Sequence, residues 1–234
     1  MGEESKIRIP IWQPIFTVFF LLAFPLLVMV LAGDWRWVEG WIFVLSFWIF
    51  GFVTSARMYF KDPGLFKERF SPPVQKEQKA SDKILIFLVF ISYLAWMIIS
   101  PLDAKRFGWS PQFPLWTKIL GTLMTVVGFW LFYETFKENT FAAPVVKIQG
   151  ERKQTTISTG VYAFVRHPMY LAASLYVLGG ALLMGSIPGL AVAMIFVGVL
   201  AIRIIGEENM LRAELDGYEE YTRRVRWRLI PFIF

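Results

Sequence analysis

Six long apolar runs constrain this chain more than any single motif does. Four of them, Ile15 to Ala32, Val38 to Tyr59, Ile84 to Leu102 and Leu115 to Phe136, each come close to the roughly 20 residues a helix needs to cross a bilayer. Two more run from Tyr170 to Met184 and from Gly189 to Ile205, joined by Gly185-Ser186-Ile187-Pro188. A turn that short forces a tight antiparallel hairpin. The first run of the pair is short, which predicts either little tilt or a start capped by protein instead of lipid. A mean hydropathy of +0.51 and 56% hydrophobic residues lie outside the range of soluble globules. The expected fold is an all-α integral membrane protein with about six transmembrane helices, a C-terminal helical hairpin and no Rossmann domain.

The charges lie between the runs. The tail before Ile15, the gaps 57–83 and 137–166, and the end from Arg203 hold 2, 7, 5 and 6 Lys and Arg, whereas the alternate gaps hold only Arg36, Lys105, Arg106 and Lys118. By the positive-inside rule both termini and the two long basic loops face the cytoplasm, in keeping with an even number of crossings. The same placement argues against a nucleic-acid partner, because the bases line no single soluble face. Gly2 to Pro10 carries acids as well as bases and no small-residue cleavage site follows the first run, so that run is expected to stay as a helix. The chain divides into an N-terminal four-helix region, 1–136, with a cytoplasmic linker at 60–83, and a C-terminal region, 137–234, where the polar motifs gather.

Composition removes several kinds of chemistry. With no cysteine there is no thiolate nucleophile, disulfide framework or Cys-ligated metal. With His167 as the one histidine, a multi-histidine metal site cannot be built, and no metal is expected. The linker segment Lys61-Asp62-Pro63-Gly64-Leu65-Phe66-Lys67-Glu68-Arg69-Phe70, followed by Ser71-Pro72-Pro73, reads as an interfacial amphipathic turn ending in a proline-fixed loop; a substrate lid is the alternative.

In the last hundred residues polar groups cluster beside membrane helices. Asn139 to Gly160 is a loop whose Val145-Val146-Lys147-Ile148 stretch is β-prone but isolated. Gly160-Val161-Tyr162 leads into Arg166-His167-Pro168-Met169-Tyr170, where Pro168 suits a first helical turn and pushes His167 out of helical geometry. Arg203 and Glu207 stand four apart on one helix face with Glu208 beside them. An ionisable residue at the edge of an apolar run is a functional candidate by default. The tight hairpin brings Tyr162, Arg166, His167 and Tyr170 next to Arg203, Glu207 and Glu208. Such a site has carboxylates, a fixed cation and aromatic faces but no activated nucleophile, which suits group transfer between two bound molecules.

Thr159-Gly160-Val161-Tyr162, Arg166-His167-Pro168-Met169-Tyr170, Glu207-Glu208-Asn209-Met210-Leu211 and Gly217-Tyr218-Glu219-Glu220-Tyr221 together resemble the integral membrane methyltransferases related to isoprenylcysteine carboxyl methyltransferase and phosphatidylethanolamine N-methyltransferase, over about Asn139 to Phe234. The resemblance implies S-adenosyl-L-methionine as cofactor. It maps Tyr162, His167, Pro168, Met169, Tyr170, Glu207 and Glu208 onto donor-binding positions, with Gln154, Thr155, Thr156 and Ile157 in the loop wall. Gln154 stands where many members carry a histidine. Arg203 matches an acceptor-contacting position and, with His167, is the candidate catalytic residue. A lipophilic or lipid-linked acceptor and membrane lipids are the implied partners, with no obligate protein partner, and a bacterial inner membrane is the implied location. A sterol-reductase-type, nicotinamide-dependent membrane reductase and a non-catalytic lipid-binding scaffold are the alternatives.

Overall fold

The computed structural model describes residues 9–71, 78 and 80–234. Among these residues there are eight α-helices and no strand: α1 (Trp12–Ala32), α2 (Val38–Lys61), α3 (Pro63–Arg69), α4 (Ala80–Pro101), α5 (Leu115–Glu138), α6 (Pro168–Met184), α7 (Ile187–Glu214) and α8 (Tyr218–Arg224). The chain is thus an all-α integral membrane protein. Five helices are long and apolar enough to cross a bilayer, the third of them being α4 continued by a π-helical turn to Phe107. The long helices are apolar on all sides, so their outer residues, such as Ile15, Phe19, Ile49 and Met194, are more than half exposed on the protein alone. That surface is lipid-facing. Inside, Phe43, Trp96, Met97, Val177 and Leu183 are buried in the main core.

The sixth expected span corresponds to α6, which at 17 residues falls short of the length of the other five. Of the two explanations the sequence offers, the protein cap is the one found. The backbone N–H groups of Arg166 and His167 donate to the carbonyls of Trp227 and Arg228 at 2.9 Å each, so a C-terminal strap satisfies the chain just before α6. At the other end of α6, Gly185 takes the left-handed conformation at φ 83°, and Ser186 accepts from the Gly189 N–H to start α7 two residues later. The hairpin is as tight as its sequence demands.

The closest helix pair is α5 with α6. A Cβ on Gly121 would meet the backbone of Gly179 and Leu183, and a Cβ on Gly179 would stand 2.7 Å from the Gly121 carbonyl oxygen. Backbone-to-backbone contact of this kind is what small residues allow between membrane helices. It fixes the end of α6 against the start of α5, and Gly128, where a Cβ would stand 2.8 Å from the Ala172 carbonyl oxygen, carries the same close contact toward the start of α6, from which the loop walls of the site spring.

Two ends of the bundle differ. At one, exposed Trp35, Trp109 and Trp116 flank the Lys105–Asp34 and Lys118–Glu39 ion pairs, an aromatic belt of the interfacial type. At the other end α3 turns inward. Asp62 caps it by accepting from the Leu65 N–H at 2.9 Å, and Pro63 holds its first turn. Leu65 and Phe66 are buried against Met58, Phe136 and Ala142, so this part of the linker is packed into the protein. Of the proline-fixed loop only Ser71 is described; Pro72 and Pro73 lie outside the described residues, as do 74–77 and 79 of the mixed-charge stretch to Lys83 and most of Gly2 to Pro10. Val145 to Ile148 forms no strand.

Candidate active site

The loop-rich end gathers the last turn of α5, the loop 139–167, the first turn of α6, the last two turns of α7 and helix α8 around a narrow cleft with a free volume of about 90 Å³. Three elements of sequence build it. Pro168 starts α6 and leaves His167 non-helical at its mouth. A 3-10 turn at Gly160–Ala163 carries Tyr162, whose hydroxyl accepts from the Asn139 side chain at 2.8 Å and whose carbonyl accepts from the Tyr221 hydroxyl at 2.7 Å. Tyr162, Met210, Leu211, Tyr218 and Tyr221 then form a second small core that holds the loop against α7 and α8.

The hairpin brings the expected motifs together, with partners the sequence alone does not assign. Tyr170 donates its hydroxyl proton to Glu207 Oε2 at 2.6 Å; Glu207 makes no other hydrogen bond among the described residues and lines the cleft. Glu208 faces the other way. It is 2% exposed and accepts from Arg166 Nε at 2.6 Å and Arg228 Nε at 2.9 Å, with His167 Nε2 at 3.2 Å. Arg166 also donates to the carbonyls of Val225 and Arg226. Neighbouring residues on a helix point about 100° apart, given 3.6 residues per turn, and here Glu207 lines the cleft while Glu208 does not. Glu208, expected from the sequence to face the cofactor, is in this structure the counter-charge of a buried cluster.

Arg203 is likewise held elsewhere. It is 5% exposed, its Nε donates to Asp82 Oδ1 and its Nη2 to the Pro144 carbonyl, both at 2.8 Å. Its guanidinium lies 5.8 Å from the Tyr170 ring centre. Arg203 does not line the cleft and does not pair with Glu207 on its own helix face. Asp82, on α4, is closer and also accepts from Gln78 and from the Val146 N–H. Arg203, expected from the sequence to contact the acceptor, ties α4, α7 and the loop together in this structure.

Of the expected donor-binding residues, Gln154, Thr155, Thr156, Ile157, Tyr162, His167, Met169, Tyr170 and Glu207 line the cleft. Pro168 is buried behind it as the first residue of α6. The His167 and Tyr170 rings are nearly parallel with centres 5.6 Å apart. Gln154 is tied by its side-chain oxygen, which accepts from the Gln149 N–H at 2.8 Å, and Thr156 donates to the Asp216 carbonyl.

Two residues at the site lie beyond the sequence expectations. Tyr218 lines the cleft, and its buried hydroxyl has no hydrogen-bond partner among the described residues. Burial first, and then the negative Glu208 and Glu207, push its phenol above the ordinary range, so it stays a proton donor. The Gly217-Tyr218 motif was the available signal. Arg69, at the end of α3, is the other. Its Nη1 approaches the Met169 sulfur at 3.6 Å and its guanidinium lies 4.8 Å from the Phe136 ring centre. Nothing in the pattern of the linker points to it. Among the described residues no group of three or more His, Asp or Glu is placed to hold a metal ion.

Residues 116–215 match the family model of phospholipid methyltransferases. No curated protein matches the chain. The match begins on α5, ahead of the loop where the recognisable motifs start, and ends before Gly217-Tyr218. It therefore takes in the α5–α6 contact, the hairpin and both glutamates, all parts that shape the cleft. This segment, a little under half of the chain, is similar to the phospholipid methyltransferase family, and it lies in a chain of long apolar, membrane-type helices.

Proposed function

We propose that the cleft binds S-adenosyl-L-methionine and that the protein transfers its methyl group to a lipophilic acceptor drawn from the bilayer. The observation that carries this reading is a set of unused polar groups around a narrow aromatic cleft. Among the described residues, Glu207 keeps one carboxylate oxygen without a hydrogen-bond partner, and the Tyr218 hydroxyl has none either. A carboxylate suits ribose hydroxyls or an amino group, and the faces of Tyr162 and Tyr170 suit a sulfonium charge. When bound, the donor supplies a methyl group already activated by positive sulfur.

The chain's own residues orient and shield. Tyr170 holds Glu207, His167 stacks on Tyr170, and the Glu208 cluster fixes His167 from behind. His167 and Arg203 are positioning residues in this scheme, Arg203 by fixing the Tyr170 face and the Pro144 wall. A carboxylate acceptor needs no general base, since its oxygen forms the new bond as the carbon–sulfur bond breaks and the neutral thioether leaves. An amine acceptor must arrive neutral and lose a proton afterwards. Alignment supplies much of the rate in either case.

The irregular loop wall of the cleft is the part expected to order around the donor. The loop 142–157 is the part of the lining without regular structure apart from one turn at 150–152. We place both termini on the cytoplasmic side, where the donor is made, on the strength of the basic gaps. A bacterial inner membrane is the setting that the sequence resemblance suggests.

Calorimetry on the purified protein in lipid nanodiscs tests the reading. S-adenosyl-L-methionine binds to the wild type, and Glu207→Ala removes the binding. Wild-type protein that takes up no donor in several lipid compositions overturns the proposal, and uptake of a reduced nicotinamide instead moves the chain to the reductase alternative.

A further inference from the structure

The membrane half of the molecule contains a cavity of about 490 Å³, within the size range of small-molecule sites. Its walls are almost wholly apolar, with Phe90, Phe129, Phe132 and Phe196 among them and Lys83 as the one charged residue. Phe87 and Phe90 on its α4 side are more than half exposed, so the cavity borders lipid. Phe20, Phe47, Phe129 and Phe132 are shared with a second cavity of about 220 Å³ that Arg69 and Phe136 line at the loop-rich end. The two chambers adjoin, with these four rings common to their walls.

Arg69 is the unusual feature. Cations withdrawn from water are normally paired with a carboxylate, yet this half-buried guanidinium contacts, among the described residues, a thioether and an aromatic ring. Glu68 beside it is taken by Lys147. Burial, and then repulsion from Arg203, lower the Arg69 guanidinium to about 10, with no carboxylate acting in the other direction; it is still protonated at neutral pH. Lys83 makes no ion pair among the described residues either. Met169, which Arg69 touches, lines the polar cleft. The guanidinium therefore stands one side chain away from the candidate methyl-donor site, at the head of an apolar chamber.

We infer that Arg69 anchors the anionic head of an amphiphile whose single apolar chain occupies the aromatic chambers, with Lys83 adding charge at the rim. The shared chemistry is a carboxylate or phosphate within hydrogen-bonding reach of a guanidinium fork, joined to a hydrocarbon chain. Its role as methyl acceptor rests on the donor reading of the cleft; its binding does not.

The test uses cis-parinaric acid, a fluorescent polyene acid, and the matching parinaryl alcohol. Energy transfer from the protein's tryptophans is read on the full chain in zwitterionic nanodiscs, where partition into lipid is the same for all variants. The wild type holds the acid more tightly than the alcohol. Arg69→Gln weakens the acid by about tenfold, the scale of a lost charge-assisted hydrogen bond, and leaves the alcohol unchanged. Arg69→Lys keeps the acid within about threefold, since the charge remains while the fork is lost. Ala173→Trp, which fills the larger chamber, weakens both ligands. Competition by dodecanoate and by dodecyl phosphate identifies the head group, and displacement by either supports the site. Equal affinity of wild type and Arg69→Gln for the acid, or an equal loss for acid and alcohol, overturns it. S-adenosyl-L-methionine binding measured on the same samples reports folding, and its absence from the wild type would remove the donor reading while leaving the parinarate result to stand.

Discussion

Glu207 and Glu208 are neighbours in sequence, yet the regions they serve are opposites. On the Glu208 side the groups are well matched: one buried carboxylate meets Arg166, His167 and Arg228, and Arg166 Nη1 donates to two backbone carbonyls. On the Glu207 side the groups are under-used, with one oxygen held by Tyr170 and a phenol with no partner across the cleft. A saturated cluster stabilises a fold and has nothing left to offer a ligand. An unsaturated cleft costs stability and is where a ligand adds most. The difference separates a framework from a binding site more sharply than residue type does.

The largest expected effect comes from emptying the saturated side. Glu208→Ala leaves Arg166 buried without a counter-charge and is expected to destabilise the protein by about 3–5 kcal/mol, the range for breaking a buried pair from one side. Thermal unfolding in detergent measures it; an unchanged midpoint would merge the two regions into one. Next comes the open side. Glu207→Gln should leave the unfolding midpoint unchanged while weakening donor binding by ten- to a hundredfold, corresponding to about 1.5–3 kcal/mol for a charged hydrogen bond. Loss of stability without loss of binding would reverse the assignment. Tyr218→Phe removes the orphan hydroxyl. Donor affinity is expected to fall by about fivefold, a neutral hydrogen bond's worth, while thermal stability stays level or rises. The smallest change is dynamic: saturating donor should slow backbone amide exchange in 142–157 and leave 225–228, already bonded to the start of α6, as it was. Slowing in both would mean that the strap is part of the cleft.

Much of this architecture is legible in the chain. The apolar runs locate the long helices to within a few residues, except that α7 continues nine residues past its run, to Glu214, because a bilayer demands length and leaves little freedom in what spans it. The Gly185-Ser186 turn is legible too, since a left-handed residue followed by a cap ends one helix and begins the next. The partners of the charged residues are not. Arg203 lies four residues from Glu207, but its bond goes to Asp82, 121 positions away on α4, and only helix packing decides that. Glu207 and Glu208 look alike in a motif and separate once helical phase is known. Arg69 carries no local signal, because what marks it is the absence of a carboxylate around it.

The strap at 225–228 has a consequence for the order in which the protein is made. Arg166 and His167 leave the ribosome about sixty residues before the carbonyls and the Arg228 side chain that complete their surroundings, and all the long helices precede those residues as well. A nascent chain stopped just after α7 would hold its full set of membrane helices and the Arg166–Glu208 pair, but not Arg228 or the carbonyls of the strap. The surroundings of Arg166 and His167 are therefore completed only after every long helix has been made.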